Sequence, residues 1–216
     1  MKGKTIQLTA FAAGLALATP AARAQGAPTA ADKAAADTLF NDGKKLLGKN
    51  DALACEKFEA SLARAHQLGA QLALAACYEK LGRTASAWGA FRAAASLAAR
   101  ARDPRQRLAD DRASALEPRL SKIAIMSIAN RPDGLEIRRD GGVVSPAELG
   151  TAVPVDPGEH LVEASAPGRV AWSIKVNVPA APGVVDVPVP ALEKDAAPAV
   201  PAAPAPTDEP APLAPA

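Results

Sequence analysis

The stretch Gln71–Ala98, QLALAACYEKLGRTASAWGAFRAAASLA, constrains this chain more than any other. Leu74, Ala75, Tyr78 and Leu81 recur at the spacing of one helical face. Ala87, Trp88, Phe91, Ala94, Ala95 and Ala98 do the same after Gly82. Gly82 ends the first helix because it can take a positive φ without a Cβ clash. The pattern has an earlier copy. Ala54 precedes Ala87 by 33 residues, Phe58 precedes Phe91 by the same offset, and Leu46 precedes Tyr78 by 32. Small residues let two helix axes approach and an aromatic fills the remaining gap, so the period predicts two stacked helical hairpins. A generic four-helix bundle carries similar stripes and is the alternative.

The period and the small-aromatic pairing resemble the tetratricopeptide repeat, a helix–turn–helix of about 34 residues. A first helix is expected from a Thr29 cap to about Gly48, with Asp32 completing a capping box, and a second begins after Asn50 or Asp51. Asp103-Pro104-Arg105-Gln106 starts a last helix, ended by Pro118, whose Leu108 and Leu116 are expected to cover the open end of the array. By that resemblance the groove-facing residues are Phe40, Lys44 and Leu47, with Leu72, Ala76 and Glu79 from the next repeat.

Cys55 and Cys77 fall on adjacent helices of the expected array. An even cysteine count in an exported protein suggests a disulfide, and two small buried thiols are the alternative. A zinc site made from these cysteines with His66 and His160 lacks any local pair at zinc-finger spacing, so no metal is expected.

After Pro118 the period falls from near four to two. Val170, Trp172, Ile174, Val176 and Val178 alternate with Ala171, Ser173, Lys175 and Asn177, as in a half-buried strand. Further strands are expected at residues 122–128, 135–139, 152–155, 160–164 and 184–189. Asp140-Gly141-Gly142 makes a hairpin turn, and Pro188 puts the last strand at an edge. The turns Pro132-Asp133-Gly134, Asp140-Gly141 and Asp156-Pro157-Gly158, with the strands that follow them, resemble a PEGA domain, a small immunoglobulin-like or prealbumin-like β-sandwich of bacterial envelope proteins. Leu135 stands where that family's name-giving alanine is expected, and Arg169 where an aromatic is usual.

The two ends read differently. Residues 1–24 have the form of a secretory leader: Lys2 and Lys4, an apolar Leu8–Thr19, and Ala22-Arg23-Ala24 as a cleavage site. No later run is apolar for the ~18 residues that a membrane span needs. From Asp195 onward, 16 of 22 residues are Pro or Ala, a composition that cannot build a core. That tail is a passive end, or a spacer or docking peptide. Without the leader the chain carries 22 basic and 23 acidic residues, which gives no electrostatic case for nucleic acid.

No catalytic constellation emerges. The glycines form no phosphate loop and neither histidine has a nucleophile in context. His66 is expected on a helix in a half-buried structural role, and His160 opens a strand. Arg100, Arg102, Arg105 and Arg107 fit a helix C-terminus as well as an anionic polymer. The expectation is an α+β chain of two modules: a tetratricopeptide-like helical domain over residues 25–118 and a PEGA-like β-sandwich over 119–192, with the tail at 193–216. It is a non-enzymatic, exported protein, periplasmic or secreted, without a cofactor. Its helical groove would bind an envelope protein or peptide. The alternative is a β-module that binds cell-wall polysaccharide or peptidoglycan.

Overall fold

A computed structural model describes residues 27–126 and 131–195 of the 216-residue chain. The leader, the run from residue 196, and positions 127 and 128 of the first expected strand lie outside the described residues. The described architecture is α+β: five helices, then two sheets of three and four strands.

The helices are α1 (Ala30–Leu46), α2 (Asp51–Arg64), α3 (Leu68–Lys80), α4 (Thr84–Ala101) and α5 (Arg105–Leu116). Each packs against its sequence neighbour, as short connections require. Local chemistry sets the first two starts. The Thr29 side chain accepts the Asp32 N–H while Asp32 accepts the Thr29 N–H, and Asn50 accepts the Leu53 N–H. At α5, Asp103 accepts the Arg105 N–H at 2.9 Å. The chain then continues through Pro118 as a 3-10 turn, Glu117–Arg119.

The repeat offset has a direct counterpart in packing. Ala54 and Ala87 are fully buried, and Phe58 and Phe91 are 0% and 3% exposed. Phe58 lies against Gly43, where a Cβ would sit 2.6 Å from the ring, so only glycine admits the ring there. One repeat on, Ala75 and Phe91 share a cluster with Ala87, Ala90, Ala113 and Leu116. Leu108 does not join Leu116 over the end of the array. It is 54% exposed, and Ala109, Ala113 and Leu116 are the α5 residues that turn inward, because those positions share one helical face.

The strands are β1 (Ser121–Met126), β2 (Glu136–Arg139), β3 (Gly142–Val143), β4 (Ala152–Val155), β5 (Gly158–Ser165), β6 (Trp172–Val178) and β7 (Gly183–Pro188). One sheet has the order β4-β1-β7 and the other β3-β2-β5-β6. Asp140 and Gly141 form the two-residue turn between β2 and β3, with φ of 51° and 77°. Positive φ at both positions is what a twist-matched hairpin turn requires. β7 pairs in parallel with β1 alone, so Pro188 does sit on an edge strand. Ile123, Ile125, Val155 and Val187 from one sheet share a core with Ile137, Val162, Ala164 and Val178 from the other. On β6 the alternation is only half used. Val178 is buried and Trp172 and Val176 pack on the core, but Ile174 is 43% exposed on this edge strand, and Val170, expected in the strand, lies before its start and is 49% exposed.

Candidate functional site

The six groove residues separate into two groups. Phe40 packs on Phe58 with ring centroids 5.7 Å apart, and Leu72 packs against the Phe91 and Ala94 clusters, so both serve the helix interfaces. The Glu79 carboxylate accepts from the Arg112 guanidinium of α5, which also lies over the Phe91 ring. Lys44, Leu47 and Ala76 remain exposed, with the Lys44 ammonium 4.7 Å from the Phe40 centroid. The open residues of the six are thus one cation, one large apolar side chain and one small one.

Cys55 and Cys77 are joined by a disulfide, with Cα atoms 5.7 Å apart, linking α2 to α3. His66 is exposed in the α2–α3 connection and not on a helix. Among the described residues, no group of three or more His, Cys, Asp and Glu side chains is placed to hold a metal. Of the arginine cluster, Arg105 is paired to Asp103 at 2.7 Å, which holds that carboxyl at about 2, and Arg107 lies 3.8 Å from Asp111.

A second constellation lies where the two modules meet. Helix α4 begins after Arg83, which makes no side-chain cap of its own. The cap comes from the β-module: in the β4–β5 turn, Asp156 Oδ1 accepts the Ser86 N–H at 2.8 Å, and Oδ2 accepts the Ser86 hydroxyl at 2.5 Å and Arg83 Nε at 3.1 Å. A carboxylate on the first turn of a helix satisfies orphan N–H groups and opposes the positive end of the dipole. Arg83 also stacks on Tyr78, 4.1 Å from the ring centroid, and Tyr78 donates to Glu59 at 2.6 Å. Burial, and then the bond to Glu59, push the Tyr78 phenol up to about 12. The network therefore runs from α2 through α3 and α4 into the β-module.

The same turn is held from behind. His160 Nε2 lies 2.7 Å from the Asp156 carbonyl and Nδ1 lies 2.7 Å from Asp140 Oδ2; Asp140 Oδ1 accepts the Leu161 N–H. Burial alone would raise the Asp140 carboxyl, but the bonds from His160 and Leu161 outweigh it and hold it below its ordinary value. A cleft of about 410 Å³ opens beside this network, lined by Trp88 and Gly89 of α4 and by Arg139, Asp140, Val153 and His160. The Trp88 Nε1 atom is buried without a hydrogen-bond partner.

In the sequence Asp156 marks only a turn and His160 only the opening of a strand. The sequence carries no signal for these roles: Thr84 is itself an N-cap residue type, and only in the structure does its hydroxyl donate to the Gly82 carbonyl, leaving the Ser86 N–H to Asp156. Replacing Asp156 by alanine is expected to cost about 0.5–2 kcal/mol, the range for a lost N-cap. The readouts are the urea midpoint of the intact chain and the exchange protection of the Ser86 amide, which should fall together. Neither a comparison with protein-family models nor one with curated proteins finds a match for this chain.

Proposed function

We propose that this chain is an exported, non-enzymatic scaffold of the cell envelope, in which a tetratricopeptide-like array presents a binding surface and a PEGA-like β-module is fixed to its side. The observation that carries the reading is the contrast between two faces of the array. The N-terminus of α4 is committed to the β-module through Asp156, whereas Lys44 on α1, Leu47 just after it and Ala76 on α3 stay open. A cation with an exposed leucine three residues along suits a peptide with an acidic group next to an apolar side chain. No helix among the described residues is long and apolar enough to cross a membrane. Wall-polysaccharide binding by the β-module is the weaker reading, because its one tryptophan, Trp172, packs against the core of the sandwich.

The test compares the chain without its first 24 residues with a Lys44→Glu/Ala76→Arg variant. Both are presented to envelope protein extract and, separately, to purified wall polysaccharide. Because both positions are exposed, the melting temperature should hold while capture of envelope protein falls about tenfold, as for loss of a binding anchor. Equal capture by the two proteins would sink the groove reading. Retention on polysaccharide alone would transfer the function to the β-module.

A further inference from the structure

His160 is 13% exposed at its side chain, and both of its ring nitrogens face acceptors. A backbone carbonyl can only accept, so Nε2 must donate to Asp156. Asp140 is held in its ionised form, so Nδ1 must donate as well. Only the imidazolium has two N–H donors. The neutral ring leaves either the Asp140 carboxylate or the Asp156 carbonyl facing a lone pair. The consequence reaches beyond the β-module, because the residue whose carbonyl is held is the one whose side chain caps α4.

We propose that His160 is a proton-dependent clasp between the two modules: as imidazolium it fixes the β4–β5 turn so that Asp156 caps α4, and on losing a proton it releases that turn and loosens the junction. The charged groups around it are consistent with this. Asp140 on the β2–β3 turn is the facing anion, Arg139 at the end of β2 is a modest opposing cation, and Arg83 acts on the far side of Asp156. From β6 the residue opposite His160 is Val176, which brings no charge. Burial alone would lower the imidazole, but its bonds to Asp140 and to the Asp156 carbonyl, with the Asp140 charge, outweigh that and raise it above 6.5.

A raised histidine contributes stability that is fully present below its unfolded value and is lost as pH rises through the folded value. The lowered Asp140 contributes stability that is lost only as pH falls through a value below 3.8. The clasp is therefore closed across mildly acidic pH and opens on the alkaline side. This does not depend on what the helical groove binds.

The test uses the two-module chain without its first 24 residues, with nitrogen-15 in its imidazoles. The His160 resonances should titrate with a midpoint above 6.5, and below it both nitrogens should report protonation. Across that midpoint the protection factor of the Ser86 amide should fall about tenfold, the scale of a hydrogen bond involving a charged group. In His160→Gln the Ser86 protection should be low and independent of pH. Should that variant lose its sheet signature, Asp140→Asn decides: removing the facing charge should move the His160 midpoint down. A midpoint at or below 6.5, an Asp140→Asn midpoint equal to wild type, or Ser86 protection unchanged across the titration would each overturn the clasp.

Discussion

Phe58→Ala is expected to lower the stability of the helical array by about 3–5 kcal/mol, the range for a buried phenylalanine. Phe58 is completely buried, its ring lies against Gly43 and Phe40, and its cluster includes Leu62, Leu74 and the disulfide. The closest backbone approaches offer little to fill the space. Gly43 has no side chain, and Ala54 is itself small and buried, so the void should persist. Domains of this size are commonly stable by only about 5–15 kcal/mol, so the loss is a large fraction of the total. Phe91→Ala removes the equivalent ring one repeat later and should cost a similar amount. Urea midpoints of the two variants and wild type provide the check. An unchanged midpoint for Phe58→Ala would mean that the ring is not enclosed by α1 and α2, and the close approach at Gly43 would lose its explanation.

Removing the disulfide has the second-largest expected effect. Cys55 and Cys77 are separated by 22 positions, and closing a loop of that length contributes about 3 kcal/mol in the loop-entropy model. The bond joins α2 to α3, the contact between the two hairpins and not one within either. Its loss should therefore uncouple the hairpins more than it unfolds each of them. Both cysteines are almost fully buried, so reductant reaches the bond only when the helices part. The double variant Cys55→Ala/Cys77→Ala should melt well below wild type, and added dithiothreitol should lower wild type toward the variant without moving the variant further. Equal melting temperatures for the two proteins in the absence of reductant would show that the hairpins are held by packing alone.

The salt bridges deserve no comparable expectation. Lys45–Asp42, Arg138–Glu136 and Lys175–Glu159 are exposed pairs, which typically contribute little and are screened by salt. Lys80 meets Asp51 at 2.7 Å, and its hydrogen bond, with one from the Gly48 amide, holds that carboxyl below its ordinary value. Asp51 thereby ties the start of α2 to the end of α3, beside the disulfide.

The sequence by itself determined the features whose causes are local. A 3.6-residue period up to Pro118 and a two-residue period after it produce helices followed by strands. Thr29 and Asn50 start helices because their own oxygens reach N–H groups three residues away, whereas α5 begins after Pro104 without a side-chain cap. The 33-residue offset of Ala54 and Phe58 reappears as equivalent burial in the second hairpin. Asp140-Gly141 turns the chain because both residues take a positive φ. What only the tertiary structure decided is which distant groups meet. Periodicity marks Phe40 and Leu72 as apolar but does not say whether an apolar residue faces a groove or a neighbouring helix; packing assigned both to helix interfaces. The parallel pairing of β1 with β7 joins residues about sixty positions apart. The cap of α4 comes from Asp156, seventy residues beyond Ser86, and His160 finds Asp140 twenty residues back. A carboxylate satisfies a helix end wherever along the chain it comes from, so the sequence, which offers Thr84 at the start of α4, could not show that Asp156 would supply the cap.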